Sequence, residues 1–368
     1  MTARLYAYGL LPLALMTCVA SARAAGPTTG AKSADSGTEQ SSPEGYTLSV
    51  QSVAKVVATL TRDASYPQFK ATQWTVFAAQ APELPGQIKP ETALEPPGEP
   101  PREKSDMHRP LVMARIQADK ARSMNSMRIQ LTYHATLRSR RLRKGPSRKV
   151  ADLSPEERGM YLADRGFFDF NQPEFHEWVE KHGLARKAGE GEIHCARRVF
   201  LALKAGMQYD APLKKDFHAT AVCKSGRADC GGLSVLFASI LRFNNIPART
   251  LWGRWAKSSQ PGKMWFNHPY YQTHVKAEFF ARGVGWVPVD VSSAILHDKS
   301  PQGLIFFGND PGDFITFHID GNLEIDTRLF GIKPLGNLQT TRWWLRGDGT
   351  LADEKVTEVW DVKTNKLK

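Results

Sequence analysis

The sequence is poor in several things, and each shortage excludes something. Only four cysteines occur in 368 residues, Cys18, Cys195, Cys223 and Cys230. That is too few for a disulfide-stapled scaffold, and their spacing lacks the paired short gaps of structural zinc. Beyond residue 24 no apolar run is long enough to span a bilayer. Acid is scarce: 37 Asp and Glu stand against 49 Lys and Arg, a formal net charge of +12. No EF-hand loop and no internal repeat is present. Neither a metal nor a cofactor is called for.

What remains describes a globular protein, 41% hydrophobic and 23% charged, long enough for two cores. Arg4, the apolar run from Leu5 to Val19 and the small-x-small pattern Ala22-Arg23-Ala24 read as a secretory signal peptide over residues 1–24, cut after Ala24. The protein is therefore expected to be secreted or periplasmic. A membrane anchor fits less well because the run is short. A lipoprotein through Cys18 fits poorly because Thr17 stands where a small residue belongs.

Cleavage leaves Cys195, Cys223 and Cys230, an odd count that implies one free thiol and room for one disulfide. If Cys230 is the free one, Cys195 and Cys223 are the pair. A zinc site from His194, Cys195, His218 and Cys223 is the weaker alternative.

Residues 25–45, rich in Ser, Thr, Gly and Pro, read as a flexible leader. An N-terminal β-domain follows over 46–149. Leu48, Val50, Ala54, Val56, Ala58 and Leu60 alternate with mostly polar residues, as do Met127, Ile129, Leu131, Tyr133, Ala135 and Leu137. A strand is expected near Gln73–Phe77 and a proline-rich loop from Pro82 to Arg102. The cluster Arg138, Arg140, Arg141, Arg143, Lys144, Arg148 and Lys149 reads as a solvated linker rather than a polyanion site. No aromatics interleave it, so stacking on bases has no support and nucleic acid is not expected as a partner. Contact with an anionic envelope surface is compatible with the net charge.

The next unit, 150–300, opens helically. Ser154-Pro155-Glu156-Glu157 has the marks of a capped start, Gln172-Pro173-Glu174 opens a second helix, and a third runs from about Glu192 to Gln208. The loop from Ala211 to Ala228 then meets Asp229-Cys230-Gly231-Gly232 and the apolar stripe Leu233, Leu236, Phe237, Ile240 and Leu241. Strands are expected at Arg249–Trp255, Thr273–Ala281 and Val284–Val291. Residues 301–368 read as a strand-rich extension packed on this unit.

A cysteine in the first turn of a buried helix stands beside unpaired backbone N–H groups, which favour thiolate. Its own N–H could serve an oxyanion, and Gly231 and Gly232 would leave space above the sulfur. Strand alternation puts His274, Lys276 and Glu278 on one face. His268, in a loop, is a rival histidine. Asp290 ends the following strand. Thiol, imidazole and carboxylate are the parts of nucleophilic acyl transfer.

Gly226-Arg227-Ala228-Asp229-Cys230-Gly231-Gly232, Asn245-Ile246-Pro247-Ala248-Arg249, His274-x-x-x-Glu278 and Gly285-Trp286-Val287-Pro288-Val289-Asp290 follow one another in the chain. Together they resemble the transglutaminase-like superfamily. The resemblance covers roughly 190–295. It implies an α+β, papain-like core with the cysteine helix packed on an antiparallel sheet, Cys230 as nucleophile, His274 as base and acid, and Asp290 as orienting carboxylate.

Three departures stand out. Lys276 replaces the usual Trp, which would favour an acidic substrate. Asn244-Asn245 replaces a small residue plus Gly. For the side-chain oxyanion donor only Gln208 and Tyr209 can be nominated.

The expected function is an exported cysteine enzyme that forms a thioester with a protein or peptide amide, a cell-wall peptide included, with hydrolysis favoured over transamidation. The alternatives are a non-catalytic scaffold on the same fold and a cell-envelope polyanion binder.

Overall fold

The computed structural model describes residues 45–118, 124–146, 150–210, 216–260, 264–265, 268–269 and 272–367. The expected signal peptide, Cys18 and the leader up to residue 44 lie outside the described residues, as does the His268 side chain. Among the described residues no helix is long and apolar enough to cross a membrane.

Two long strands, β1 (Tyr46–Ser65) and β5 (Ser126–Lys144), pair antiparallel along their lengths. Between them in sequence lie β2 (Phe69–Ala79), β3 (Gln87–Glu95) and β4 (Leu111–Gln117). Ala54 to Leu60 of β1 and Ile129 to Leu137 of β5 present alternate side chains to one core. Between Ser52 and Ala54 the register slips by one residue. A bulge of this kind moves the following side chains to the opposite face. Beyond it Leu48 enters a second core, with Val50 and Leu142 packed on it. One ribbon thus serves two cores.

β3 lies where a loop is expected. Among the described residues it pairs with no strand but β5, and Pro90 sits in a break of that pairing between Ile88 and Glu91, where its missing N–H costs no ladder bond.

The second core collects α2 (Pro173–Lys181), α3 (Glu192–Gly206), α4 (Ala219–Ser225) and α5 (Cys230–Phe243) around a four-stranded antiparallel sheet, while α1 (Pro155–Leu162) puts Tyr161 into a small separate cluster with Phe280 and Trp286. Its strands are β6 (Ala248–Trp255), β7 (Thr273–Ala281), β8 (Gly285–Val289) and β9 (Phe314–Ile319), in the order β8-β7-β6-β9. A short helix, α6 (Val291–His297), follows β8.

The start of α1 is the reciprocal cap its sequence announces: Ser154 Oγ accepts from Glu157 N, and the Glu157 carboxylate accepts from Ser154 N. α4 falls inside the expected loop and ends on Gly226 at φ 67°, a left-handed stop that glycine takes without strain.

Residues 301–367 divide between the two units. β9 completes the central sheet beside β6. The last two strands return to the N-terminal domain: β10 (Arg342–Gly349) pairs with β2, and β11 (Lys355–Lys366) with β1, setting Trp360 opposite Leu60. Alternation identifies a strand without naming the edge it will find.

The basic cluster also differs from its expected role. Arg138 to Lys144 belong to β5, and Arg140 is buried, 1% exposed. Its Nη1 donates to Glu278 Oε2 at 2.6 Å and its Nη2 to Asp310 Oδ2 at 3.2 Å, while Arg249 holds the other Glu278 oxygen at 2.6 Å. Breaking a buried ion pair strands a charge, which costs about 3–5 kcal/mol. Arg140→Ala is therefore expected to lower the unfolding free energy by about 3 kcal/mol, read from chemical denaturation. A change under about 1 kcal/mol would show that Arg249 alone satisfies Glu278.

Candidate active site

The site is assembled at the ends of regular elements. Asp229 caps α5, its Oδ1 accepting from Gly232 N at 3.0 Å, so Cys230 occupies the first helical position. Its backbone N–H has no carbonyl within the helix to pair with. The helix behind it is buried from Gly231 to Arg242.

The two glycines have a different reason from the expected one. A Cβ on Gly231 would stand 2.6 Å from the Phe217 ring and 3.1 Å from Trp252, and one on Gly232 would stand 2.7 Å from the Ala228 Cβ. They admit neighbouring side chains rather than leaving open space.

At the far end of the helix the Asn pair is explained. Asn245 adopts φ 58°, which asparagine tolerates in place of glycine. The Asn244 side chain accepts from Arg186 N at 2.5 Å and donates to Leu184 O and Ile240 O.

Asp290 is also a helix cap, at the start of α6. Its carboxylate accepts from Ser292 Oγ at 3.0 Å, Ser293 N at 2.9 Å, Ser293 Oγ at 2.8 Å and His274 Nε2 at 2.8 Å. Burial alone would raise its pKa, but the imidazolium opposite, Lys276 and these donors hold it well below the usual carboxylate range.

His274 lies at the start of β7, 8% exposed. Burial works against its charge, yet Asp290 outweighs burial and Cys230 adds a hydrogen bond, which lifts its pKa to about 10. With Nε2 committed to Asp290, Nδ1 is the nitrogen left to face the thiol. The structure thus brings together Cys230 from the start of α5, His274 from β7 and Asp290 from the cap of α6.

The remaining expectations fare differently. Lys276 is buried, with Nζ 3.5 Å from Asp310 and 3.9 Å from Asp313, so its charge is neutralised internally and does not face a substrate. Gln208 and Tyr209 form a short parallel bridge to Arg227 and Ala228, on the approach to Cys230; Gln208 is exposed and Tyr209 half-buried. Cys195 and Cys223 are free and buried, not disulfide-linked, and burial pushes their thiols up to about 12 and about 11. Among the described residues no group of His, Cys, Asp and Glu could hold a metal ion.

Sequence reading missed a second buried histidine. His318 donates from Nδ1 to Asp320 O at 2.8 Å and accepts at Nε2 from Leu338 N at 3.0 Å. Burial, and then Arg109, depress its pKa to about 3, so it is neutral where His274 is charged. Its only sequence signal was alternation in a late apolar strand.

A sheet with a capped cysteine helix packed on it, and a His–Asp pair on neighbouring strands, defines a papain-like α+β protein. Residues 181–291 match the model of the Transglutaminase-like superfamily. A candidate cysteine protease from Cytophaga hutchinsonii shares the fold at TM-score 0.51 and 11% identity, over 87% of this chain and 93% of that one. The periplasmic domain of TgpA from Pseudomonas aeruginosa aligns at TM-score 0.32 and 14% identity over 69% of this chain and 92% of that one. Red sea bream transglutaminase aligns at 0.30 and 10% over 73% and 60%. No curated protein matches the sequence.

Iodoacetamide at pH 7 should label Cys230 and leave Cys195 and Cys223 silent in peptide mass mapping, because both silent thiols are held neutral; labelling of all three at equal rate would contradict the geometry. The His318 pKa lies below its unfolded value of about 6.5, so the unfolded chain binds the proton first as pH falls. Stability is then lost between about 6.5 and 3, by up to ~1.4 kcal/mol per pH unit. The stability gap between wild type and His318→Gln should narrow from pH 7 to pH 4; a constant gap would refute a neutral His318.

Proposed function

We propose that this chain is an exported cysteine enzyme that cleaves or exchanges amide bonds through a thioester. The observation that supports it most is the 2.8 Å contact of His274 Nε2 with Asp290, which leaves the imidazole's other nitrogen to a cysteine at a helix start. Asp290 holds the imidazolium, and the imidazolium holds a thiolate at Cys230. The thiolate attacks an amide carbonyl, and the oxyanion that forms is met by the Cys230 N–H. His274 passes its proton to the departing amine as the carbon–nitrogen bond breaks, leaving an acyl-cysteine.

Water, deprotonated by His274, then adds to the thioester and expels the thiolate, so acid and amine are the products. An amine in place of water would give a new amide. Water needs no second binding site, and hydrolysis is the favoured course. The acyl donor in this reading is a protein or peptide, cell-wall peptides among them. Residues 1–24 carry the export signal, so the N-terminal residue of the protein recovered from the producing cell's envelope or medium should be Ala25.

Amine release from a peptide-amide library tests the reaction. Cys230→Ala and His274→Ala should each reduce the rate by about 10³-fold or more, and the two changes together by little more than either alone, because the residues act as a unit. Turnover that survives Cys230→Ala would overturn the proposal. Salt-sensitive binding to anionic envelope polymer, without amide turnover and indifferent to Cys230→Ala, would support the polyanion-binder alternative.

A further inference from the structure

His274 has a neighbour that the acyl-transfer scheme does not use. The Trp255 indole, at the end of β6, stacks on the imidazole with ring centroids 4.6 Å apart and planes 21° from parallel. Phe314 of β9 meets the same imidazole edge-on at 6.1 Å and 83°. Lys276 Nζ lies 4.5 Å from the Trp255 ring centre and 4.8 Å from that of Phe314. The ammonium is in turn held by Asp310 and Asp313. Lys276 stands where the resemblance leads one to expect an aromatic, and its charge is committed to holding an indole supplied by the next strand.

We propose that Trp255 is a positioning residue for His274, its indole face fixing the imidazole plane so that Nε2 meets Asp290 while Nδ1 meets Cys230. The inference rests on the assignment of His274 as the base. Rotation about χ2 would break both contacts at once, and a ring stacked against a fixed plane cannot rotate out of it. An aromatic face also attracts an imidazolium more than a neutral imidazole, by on the order of 1–2 kcal/mol where water is excluded. It therefore favours the protonated form that the thiolate needs. The charged groups around the imidazole are Asp290 from the β8–α6 junction, Cys230 from α5 and Lys276 from β7, with Asp310 and Asp313 behind Lys276.

The test uses the full-length protein with Trp255→Leu and Trp255→Met, which remove the ring, and Trp255→Phe, which keeps one. Two quantities are read without any substrate: the NMR titration midpoint of the His274 ring, and the rate of Cys230 alkylation by iodoacetamide across pH. Removing the ring should lower the midpoint by about one pH unit, the equivalent of a desolvated cation–π contact. By linkage it should move the rise of Cys230 alkylation with pH upward by as much as about one pH unit, while Phe restores most of both shifts. Thermal melting identifies a variant that has simply lost its fold; Met, which fills the space flexibly, decides if Leu does not fold.

A wild-type midpoint and alkylation rate in a folded ring-less variant would overturn the proposal. If His274→Ala leaves Cys230 alkylation unchanged, the base assignment fails instead, and the NMR midpoint still reports whether the indole holds the ring.

Discussion

The structure depends on how one buried strand is kept electrically neutral. β7 carries His274, Lys276 and Glu278 into the interior, and each draws its counter-charge from a different part of the chain. His274 is met by Asp290 at 2.8 Å, Lys276 by Asp310 at 3.5 Å, and Glu278 by Arg140 and Arg249 at 2.6 Å. An unpaired charge at any of these places would cost several kcal/mol. The N-terminal strand β5, the central strand β6, the cap of α6 and the short bridge at Asn309–Asp310 are therefore tied to the strand that bears the imidazole. Arg140 reaches it because the bulge in β1 coincides with the stretch where the long β1–β5 ribbon turns its apolar side chains from one core to the other.

The same economy is visible in the caps. Asp229 and Asp290 each end an extended segment and begin a helix, and each sits beside a candidate functional side chain. A helix start offers donors that have no partner of their own. Asp290 satisfies those of α6 with one oxygen and turns the other to His274. A carboxylate so fully coordinated cannot move, so the imidazole it holds inherits a fixed direction. Gln339 adds to this from the C-terminal segment, donating to the carbonyls of Gly253 and His274 where β6 and β7 face each other.

What the sequence made legible was local. Cys230, His274 and Asp290 could be found because a capped cysteine, two glycines and a strand-end aspartate are short patterns with a physical reason, and their order resembles a known superfamily. The cap at Ser154 and the alternation of β1 and β5 were legible on the same grounds. Long-range matters were not. Nothing in residues 342–366 says that they will pair with β1 and β2. Nothing in a run of arginines says that Arg140 alone will turn inward to Glu278. Gly231 reads as open space because Phe217 and Trp252, which close on it, come from other segments. Trp255 looked like one apolar strand residue among several until its register opposite β7 was known. Lys276 looked like a substrate-facing charge because Asp310 and Asp313 lie more than thirty residues away.

The central claim, that Cys230 becomes acylated by virtue of the His274–Asp290 pair, is tested most directly by trapping the intermediate. The protein is mixed with a peptidyl ester or amide, quenched in acid within milliseconds to seconds, and examined by intact mass and peptide mapping. The account predicts an acyl adduct on Cys230 alone, released by hydroxylamine and absent from His274→Ala. An adduct on another residue, or equal acylation when His274 is removed, would contradict it.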